Sequence, residues 1–262
     1  MRHIPLKNAF NVRDMGGYPT TDGKSTKWGM LYRSDALSSL TEEDWQVLKA
    51  RKIHTVIDLR SLSEISAAPV QVPEGTEYDH FSLMPEMDKL GMDFREMGTE
   101  KIIESMKLDY GKSLFRGVSC CARILETILK RSEVGSVLFM CSAGKDRTGI
   151  IAALILYLCD VVREDIIADY MVSSVYNTNG INRKIKAMPE EIRKLIPDPR
   201  LIDDCLDSKP ETMMQLLCEM EAGDIRTALD KAGFSTACQK QLKEKMTGLA
   251  EENNHENILT NN

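Results

Sequence analysis

The sequence predicts an α/β fold, with a central, mainly parallel sheet of four or five strands flanked by helices. Three observations lead there. Strand-like and helix-like segments alternate from Gly29 onward. The runs 53–57 and 134–140 are short, apolar and β-branched or unbroken, as strands covered on both faces are. The second run leads through a loop with glycines at 144 and 149 into the ten-residue apolar run 150–159, about half of a membrane span and therefore a buried helix.

The elements follow in order. Residues 29–33 form a short strand. Thr41 caps a helix that runs to about Arg51, with acids in its first turn and Leu40 placed to staple against Trp45. Residues 53–57 are a buried strand, Pro69, Pro73 and Gly75 mark a loop, and 78–83 is a further strand candidate. A helix is expected over 111–131, a strand over 134–140, the apolar helix over 150–160 and another from Arg163 through Tyr176. Weaker helices follow at about 182–195, 210–221, 225–232 and 236–248. Ser208 and Glu211 are read as a capping box and Gly233 as a C-terminal stop.

The 262 residues are 42% hydrophobic and 28% charged, enough for one sizeable core. The expected organisation is one domain over 1–250, its 180–250 part helical, with a polar tail at 251–262 expected to be disordered. The Met-rich segment 84–110 reads either as an irregular core-covering stretch or as a mobile lid. Forty acidic against 34 basic residues give a net charge of −6 without clusters, which argues against a nucleic-acid binder or a polybasic membrane-surface protein. No integral membrane association is expected. The start MRHIPLKNAF has no apolar core of a secretory signal, and seven cysteines without metal-ligand spacing suit reduced thiols. A cytoplasmic location is the expectation, unconventional secretion aside, and neither a metal nor another cofactor is called for.

Chemistry concentrates at residues 141–149. A loop between a strand and a buried helix can wrap its backbone N–H groups around a tetrahedral anion while the helix points its positive end at the same place. Cys141 would sit at the bottom of that cup, where the amides and Arg147 favour a thiolate. Arg147 can grip two phosphoryl oxygens with its planar fork. The other six cysteines serve as an internal control: six positions after them stand Glu126, Thr127, Asp165, Glu211, Asp224 and Glu244. Only Cys141 has an arginine there.

The segment CSAGKDRTG resembles the phosphate-binding signature of the cysteine-dependent protein tyrosine phosphatase superfamily. More narrowly it is similar to the bacterial and fungal tyrosine-phosphatase family whose loop reads C-x-x-G-K-D-R-T-G, some of whose members also act on phosphoinositides. The blocks around Asn11 to Tyr18, Gly29 to Ser34, Asp58 to Glu64 and Asp169-Tyr170 resemble that family too, so the likeness covers roughly residues 8–249.

The resemblance implies a phosphatase fold and a phosphomonoester hydrolase. Cys141 would attack phosphorus, and the amides of Ser142, Ala143, Gly144, Lys145, Asp146 and Arg147 would hold the phosphoryl group. Thr148 would hydrogen-bond the cysteine sulfur. An acid must protonate the leaving group. The family places it inside the loop, at Asp146, and Asp58, at the same sheet edge, is the rival. Either aspartate could instead pin Arg60 or Arg33. Lys145 reads as a rim charge favouring polyphosphorylated substrates or as a solvated lysine. Arg13, Arg33 and Arg60 face the pocket or pair with Asp14, Asp35 and Glu64. His54 and His80 are isolated. Where the family has histidine before the cysteine this chain has Met140, so a slower or more alkaline-shifted enzyme is expected rather than a dead one.

The implied partners are a phosphotyrosine protein, or a phosphorylated small molecule or phosphoinositide. A phosphate-binding module without turnover is the alternative. Sulfur transfer of the rhodanese kind leaves the Asn11 and Asp58 blocks unexplained.

Overall fold

The computed structural model describes residues 2–83, 109–187, 190 and 207–249. Five strands make the central sheet: β1 (Arg13–Asp14), β3 (Leu31–Ser34), β4 (Ile53–Asp58), β5 (Glu77–His80) and β6 (Ser136–Met140), in the order β1-β3-β6-β4-β5. Strands β3, β6, β4 and β5 are parallel, and β1 closes one edge antiparallel to β3. Registers Ser34↔Met140, Asp58↔Met140 and Asp58↔His80 bring the ends of all four parallel strands to one line. Cys141 is the next residue beyond that line. Loops leaving the carboxyl edge of a parallel sheet are where such folds place their chemistry.

Strand β6 is buried along its whole length. Its side chains alternate between two cores, as the period of a strand dictates. Val137 and Phe139 join the larger cluster, and Leu138 and Met140 the smaller. The smaller core is closed by α1 (Glu42–Ala50) through Trp45 and Leu48. Thr41 and Asp44 cap that helix reciprocally, as its sequence predicts.

The larger core is covered by α4 (Val118–Arg131) and α5 (Asp146–Leu158). Helix α4 buries Cys121, Ile124, Leu125 and Ile128 at helical spacing, whereas α5 is buried nearly all round. The remaining helices are α2 (Leu62–Ala67), α3 (Tyr110–Arg116), α6 (Arg163–Ala187), α7 (Pro210–Ala222), α8 (Ile225–Lys231) and α9 (Thr236–Met246).

Several boundaries differ from the sequence expectation. The helix foreseen over 111–131 is two helices, broken at Gly117, whose ψ of 11° leaves the helical region and where a Cβ would come within 3.3 Å of Leu83. The helices foreseen at 163–176 and 182–195 are joined into α6 as far as Ala187. The strand candidate at 78–83 is β5, which ends at His80. The capping box at Ser208 does not form. Lys209 is the N-cap and Pro210 takes the first helical position, where its missing N–H costs nothing. Ser208 is buried, and its hydroxyl has no hydrogen-bond partner among the described residues.

The 180–250 part is not wholly helical either. Strand β7 (Thr247–Leu249) follows α9 and pairs antiparallel with β2 (Lys24–Thr26). The 84–110 reading lies outside the described residues except for Asp109 and Tyr110, and the 251–262 tail lies wholly outside them. Among the described residues no helix is long and apolar enough to cross a membrane.

Candidate active site

The backbone after β6 is held from outside by donors that take its carbonyls. Ser142 O accepts from the Ala36 N–H at 3.3 Å. Ala143 O accepts from Asn11 Nδ2 at 3.0 Å and Asn177 Nδ2 at 2.8 Å. Gly144 O accepts from Asn11 Nδ2 at 3.0 Å and Arg33 Nη2 at 2.8 Å. In a trans peptide the following N–H points opposite to the carbonyl. The amides of Ala143, Gly144 and Lys145 therefore aim away from these donors, toward the inner side of the loop. Gly144 sits at φ +63°, and a Cβ there would come within 2.5 Å of Ser34 O. Only glycine fits that turn.

The clamps are themselves anchored. Asp35 accepts the backbone N–H groups of Phe10 and Asn11. Arg13 donates to Asn11 Oδ1. Asp169 on α6 takes Arg13 Nε at 2.9 Å, Arg33 Nη1 at 2.5 Å and the Tyr18 hydroxyl at 2.9 Å. Burial opposes ionisation of Asp169, yet the two guanidinium charges hold its carboxyl well below the usual range.

Cys141 and Arg147 are 2% and 4% exposed. Arg147 enters α5 in its first turn and directs its fork at Glu64 of α2, with Nη1 to Oε2 at 2.5 Å and Nη2 to Oε1 at 2.8 Å. Ser142 Oγ also donates to Glu64 Oε1. Ser61 caps α2 and ties the same carboxylate through its N–H at 2.9 Å. Burial works against the Glu64 charge, but the Arg147 and Ser142 bonds hold its carboxyl well below the usual range. Desolvation lowers the Arg147 pKa, and Glu64 together with the Cys141 charge more than reverses that. Thr148, next in sequence, is fully buried, and its hydroxyl has no hydrogen-bond partner among the described residues, so the bond to the Cys141 sulfur that the resemblance implies is not formed in this structure.

The two candidate acids sit in different surroundings. Asp146 receives the hydroxyl of Tyr110 on Oδ1, with Lys145 Nζ 3.4 Å from the same oxygen. Asp58 is fully buried: Arg60 Nε reaches both its oxygens at 3.1 Å, Arg60 Nη2 lies 2.8 Å from Oδ2, and the Tyr78 hydroxyl donates to Oδ2 at 2.8 Å. Lys145 is buried, not solvated, and its ammonium is also 3.5 Å from Asp207 O.

The pairings of Arg13, Arg33 and Arg60 with Asp14, Asp35 and Glu64 are not formed, whereas the alternative reading, Asp58 as a carboxylate that pins Arg60, holds. Arg13 and Arg33 pair with Asp169 and Arg60 pairs with Asp58, while Glu64 serves Arg147. Asp14 instead accepts the N–H groups of Gly16 and Gly29. His80 Nε2 meets Arg60 O at 2.7 Å and His54 Nδ1 meets Thr55 Oγ1 at 3.2 Å, so neither ring lies among the loop's partners.

Glu64, Asp169, Asn177 and Tyr110 were not among the sequence candidates for the site. Glu64 and Asp169 lay within the recognised blocks, whereas Tyr110 and Asn177 carried no local signal. Among the described residues no group of three or more His, Cys, Asp or Glu side chains is placed to hold a metal ion.

Known proteins resemble this chain as follows. A model of the tyrosine phosphatase family matches residues 4–248. A putative tyrosine-protein phosphatase of Cupriavidus necator is 30% identical over 184 residues, which cover 67% of this chain and 65% of the relative. A tyrosine-protein phosphatase of Nostoc commune is 32% identical over 144 residues, 55% of this chain and 48% of the relative. The triple specificity protein phosphatase PtpB of Mycobacterium tuberculosis is 28% identical over 193 residues, 64% of this chain and 68% of the relative. The first two relatives are thus matched over less than two thirds of their own length. The crystal structure of P. aeruginosa TpbA aligns with 74% of this chain and 91% of its own, at 11% identity and a TM-score of 0.33.

Proposed function

The chain belongs to the tyrosine phosphatase family, and from that premise we propose that it hydrolyses phosphate monoesters through a phosphocysteine on Cys141. One observation carries the reading: a cysteine and an arginine six residues later flank a loop whose carbonyls at Ser142, Ala143 and Gly144 are taken by outside donors, which turns the three following amides to the other side of the loop. An anion of tetrahedral shape fits such a nest.

In this reading the Cys141 thiolate attacks phosphorus and the P–O ester bond breaks. Arg147 and the loop amides hold the equatorial oxygens as charge develops on them. Asp146 gives its proton to the leaving oxygen. Water then attacks the phosphocysteine, Asp146 takes a proton from it, and the P–S bond breaks to free phosphate. The Thr148 hydroxyl donates to the departing sulfur. Asp58, enclosed by Arg60 and Tyr78, shapes the sheet edge and takes no part in proton transfer.

The substrate class is a phosphotyrosine protein, with phosphoserine, phosphothreonine and phosphoinositide headgroups as further candidates; a relative named for triple specificity is a precedent for more than one substrate class in this family. Among the described residues six cysteines are free thiols, which suits a cytoplasmic setting. The test is release of phosphate from para-nitrophenyl phosphate. Cys141→Ser is expected to abolish it while leaving oxyanion binding, and an unchanged rate in that variant overturns the mechanism. Binding without any turnover by the unsubstituted chain would establish the phosphate-binding module instead.

A further inference from the structure

Tyr110 stands at the first position of α3, capped by Asp109, and is 5% exposed. Its hydroxyl donates to Asp146 Oδ1 and lies 3.0 Å from the hydroxyl of Tyr170, whose ring it meets edge to face at a centroid distance of 6.0 Å. Tyr170 is on α6, one residue after Asp169, and is 2% exposed. Two helices thus bring two phenols together, one bonded to the Asp146 carboxylate and the other bonded to the first. Lys145 Nζ approaches the same Oδ1 at 3.4 Å. No described hydrogen bond reaches Oδ2.

We propose that Tyr110, buttressed by Tyr170, is the positioning residue for Asp146: it occupies Oδ1 and so places the transferable proton on Oδ2. The proposal rests on Asp146 being the acid. A carboxyl group that accepts a phenolic O–H on one oxygen carries its own proton on the other. When that proton passes to the leaving oxygen, the negative charge left on Asp146 is already met at Oδ1 by the phenol. The same bond holds the carboxylate still while water gives it a proton in the second half of the cycle. Burial, then the Asp146 and Tyr170 neighbours, push the Tyr110 hydroxyl well above its ordinary value, so it remains a donor throughout. Burial likewise pushes Tyr170 up, with the Asp146 charge reinforcing it.

The experiment measures kcat/KM, which reports P–O cleavage, on a reactive and an unreactive ester. Para-nitrophenyl phosphate has a leaving group that needs no proton, and phenyl phosphate has one that does. Tyr110→Phe keeps the buried ring and removes the donor. It is expected to lower kcat/KM for phenyl phosphate by roughly tenfold, a fraction of the 10²–10⁴-fold that acid catalysis supplies, and to leave para-nitrophenyl phosphate within about twofold. Tyr170→Phe should show the same selectivity to a smaller degree, and serves if Tyr110→Phe fails to fold. An equal loss on both esters, as a structural role would give, overturns the proposal, as does no loss on either. Asp146→Asn is run alongside. If it shows no leaving-group selectivity, the acid assignment itself fails and takes the proposal with it. If it is selective while Tyr110→Phe is not, only the positioning role is lost.

Discussion

Glu64 meets the guanidinium of Arg147 end-on, each carboxylate oxygen taking one terminal nitrogen, at 2.5 and 2.8 Å. A guanidinium has five N–H donors in a fixed fork. End-on pairing uses one donor from each terminal nitrogen and leaves the side edge, formed by Nε and the remaining N–H of one Nη, for two phosphoryl oxygens. The carboxylate therefore aims the arginine while leaving that edge, whose Nη2 also lies 3.4 Å from Ser142 Oγ, for the phosphate site proposed above. Ser61 and Ser142 fix that carboxylate in turn, so the aim is inherited from the cap of α2.

Glu64→Ala should accordingly lower kcat/KM for para-nitrophenyl phosphate by up to about 10²-fold, as a misplaced catalytic group does. Glu64→Gln, which keeps one acceptor, should lose less. Steady-state kinetics of the two variants check the order, and equal activity in all three proteins would remove Glu64 from the site.

The loop's turn is sensitive to one added methyl group. Gly144→Ala must place a Cβ 2.5 Å from Ser34 O at φ +63°, so either the loop or β3 shifts. Gly75 has a similar φ of +82° with nothing within 4 Å of such a Cβ. Gly75→Ala should therefore cost about 1 kcal/mol of backbone strain with activity intact. Gly144→Ala should lose phosphate or vanadate binding as well as turnover. Calorimetric titration with vanadate separates them.

Local chemistry made much of the fold readable beforehand. Thr41 and the acids after it announce α1, and the β-branched run at 53–57 has no alternative to a buried strand. The cysteine loop could be read because its residues are contiguous. Asp169 could not be assigned a partner, since Arg13 and Arg33 lie 156 and 136 positions away and each has nearer acids in sequence. Those nearer acids satisfy backbone N–H groups instead, an economy that sequence spacing does not express. The pairing of β7 with β2 and the meeting of Tyr110 with Asp146 are likewise long-range events, set by how α3, α6 and α9 pack.

Asp169 is the carboxylate shared by two arginines that are at most 1% exposed. Asp169→Ala would leave both charges buried without a counter-ion, a loss of about 3–5 kcal/mol. Urea unfolding at neutral pH should show a lower midpoint with an unchanged slope. Activity should fall too, because Arg33 also holds Gly144 O.

The acid limb of stability follows from the same carboxylates. Asp169 and Glu64 both have native pKa values depressed below their ordinary 3.8 and 4.5. A depressed carboxyl stabilises the fold fully above its unfolded value, and that contribution fades as pH falls toward the native one. Stability should thus be level from neutral pH down to about 5 and decline below about 4.5. A melting series across pH checks it. Asp169→Asn should show a shallower acid decline, starting from a lower plateau.

Met140 bears on how the loop is kept rigid. Its side chain is fully buried in the smaller core with Tyr32, Trp45 and Leu138. Asn11, Asn177 and Arg33 donate to the loop backbone, occupying the carbonyls of Ala143 and Gly144. Asn177 contributes a single bond and no buried charge, so its removal probes this function most cleanly. Asn177→Ala should lower kcat by roughly tenfold while costing about 1 kcal/mol of stability, the net worth of one hydrogen bond. Met140→His should cost about 1–3 kcal/mol by placing a polar ring among apolar neighbours. It should bring no gain in kcat, because the carbonyls it would serve already have donors. A faster Met140→His enzyme, or an Asn177→Ala enzyme with full activity, would mean that the asparagine clamps are not what holds the loop.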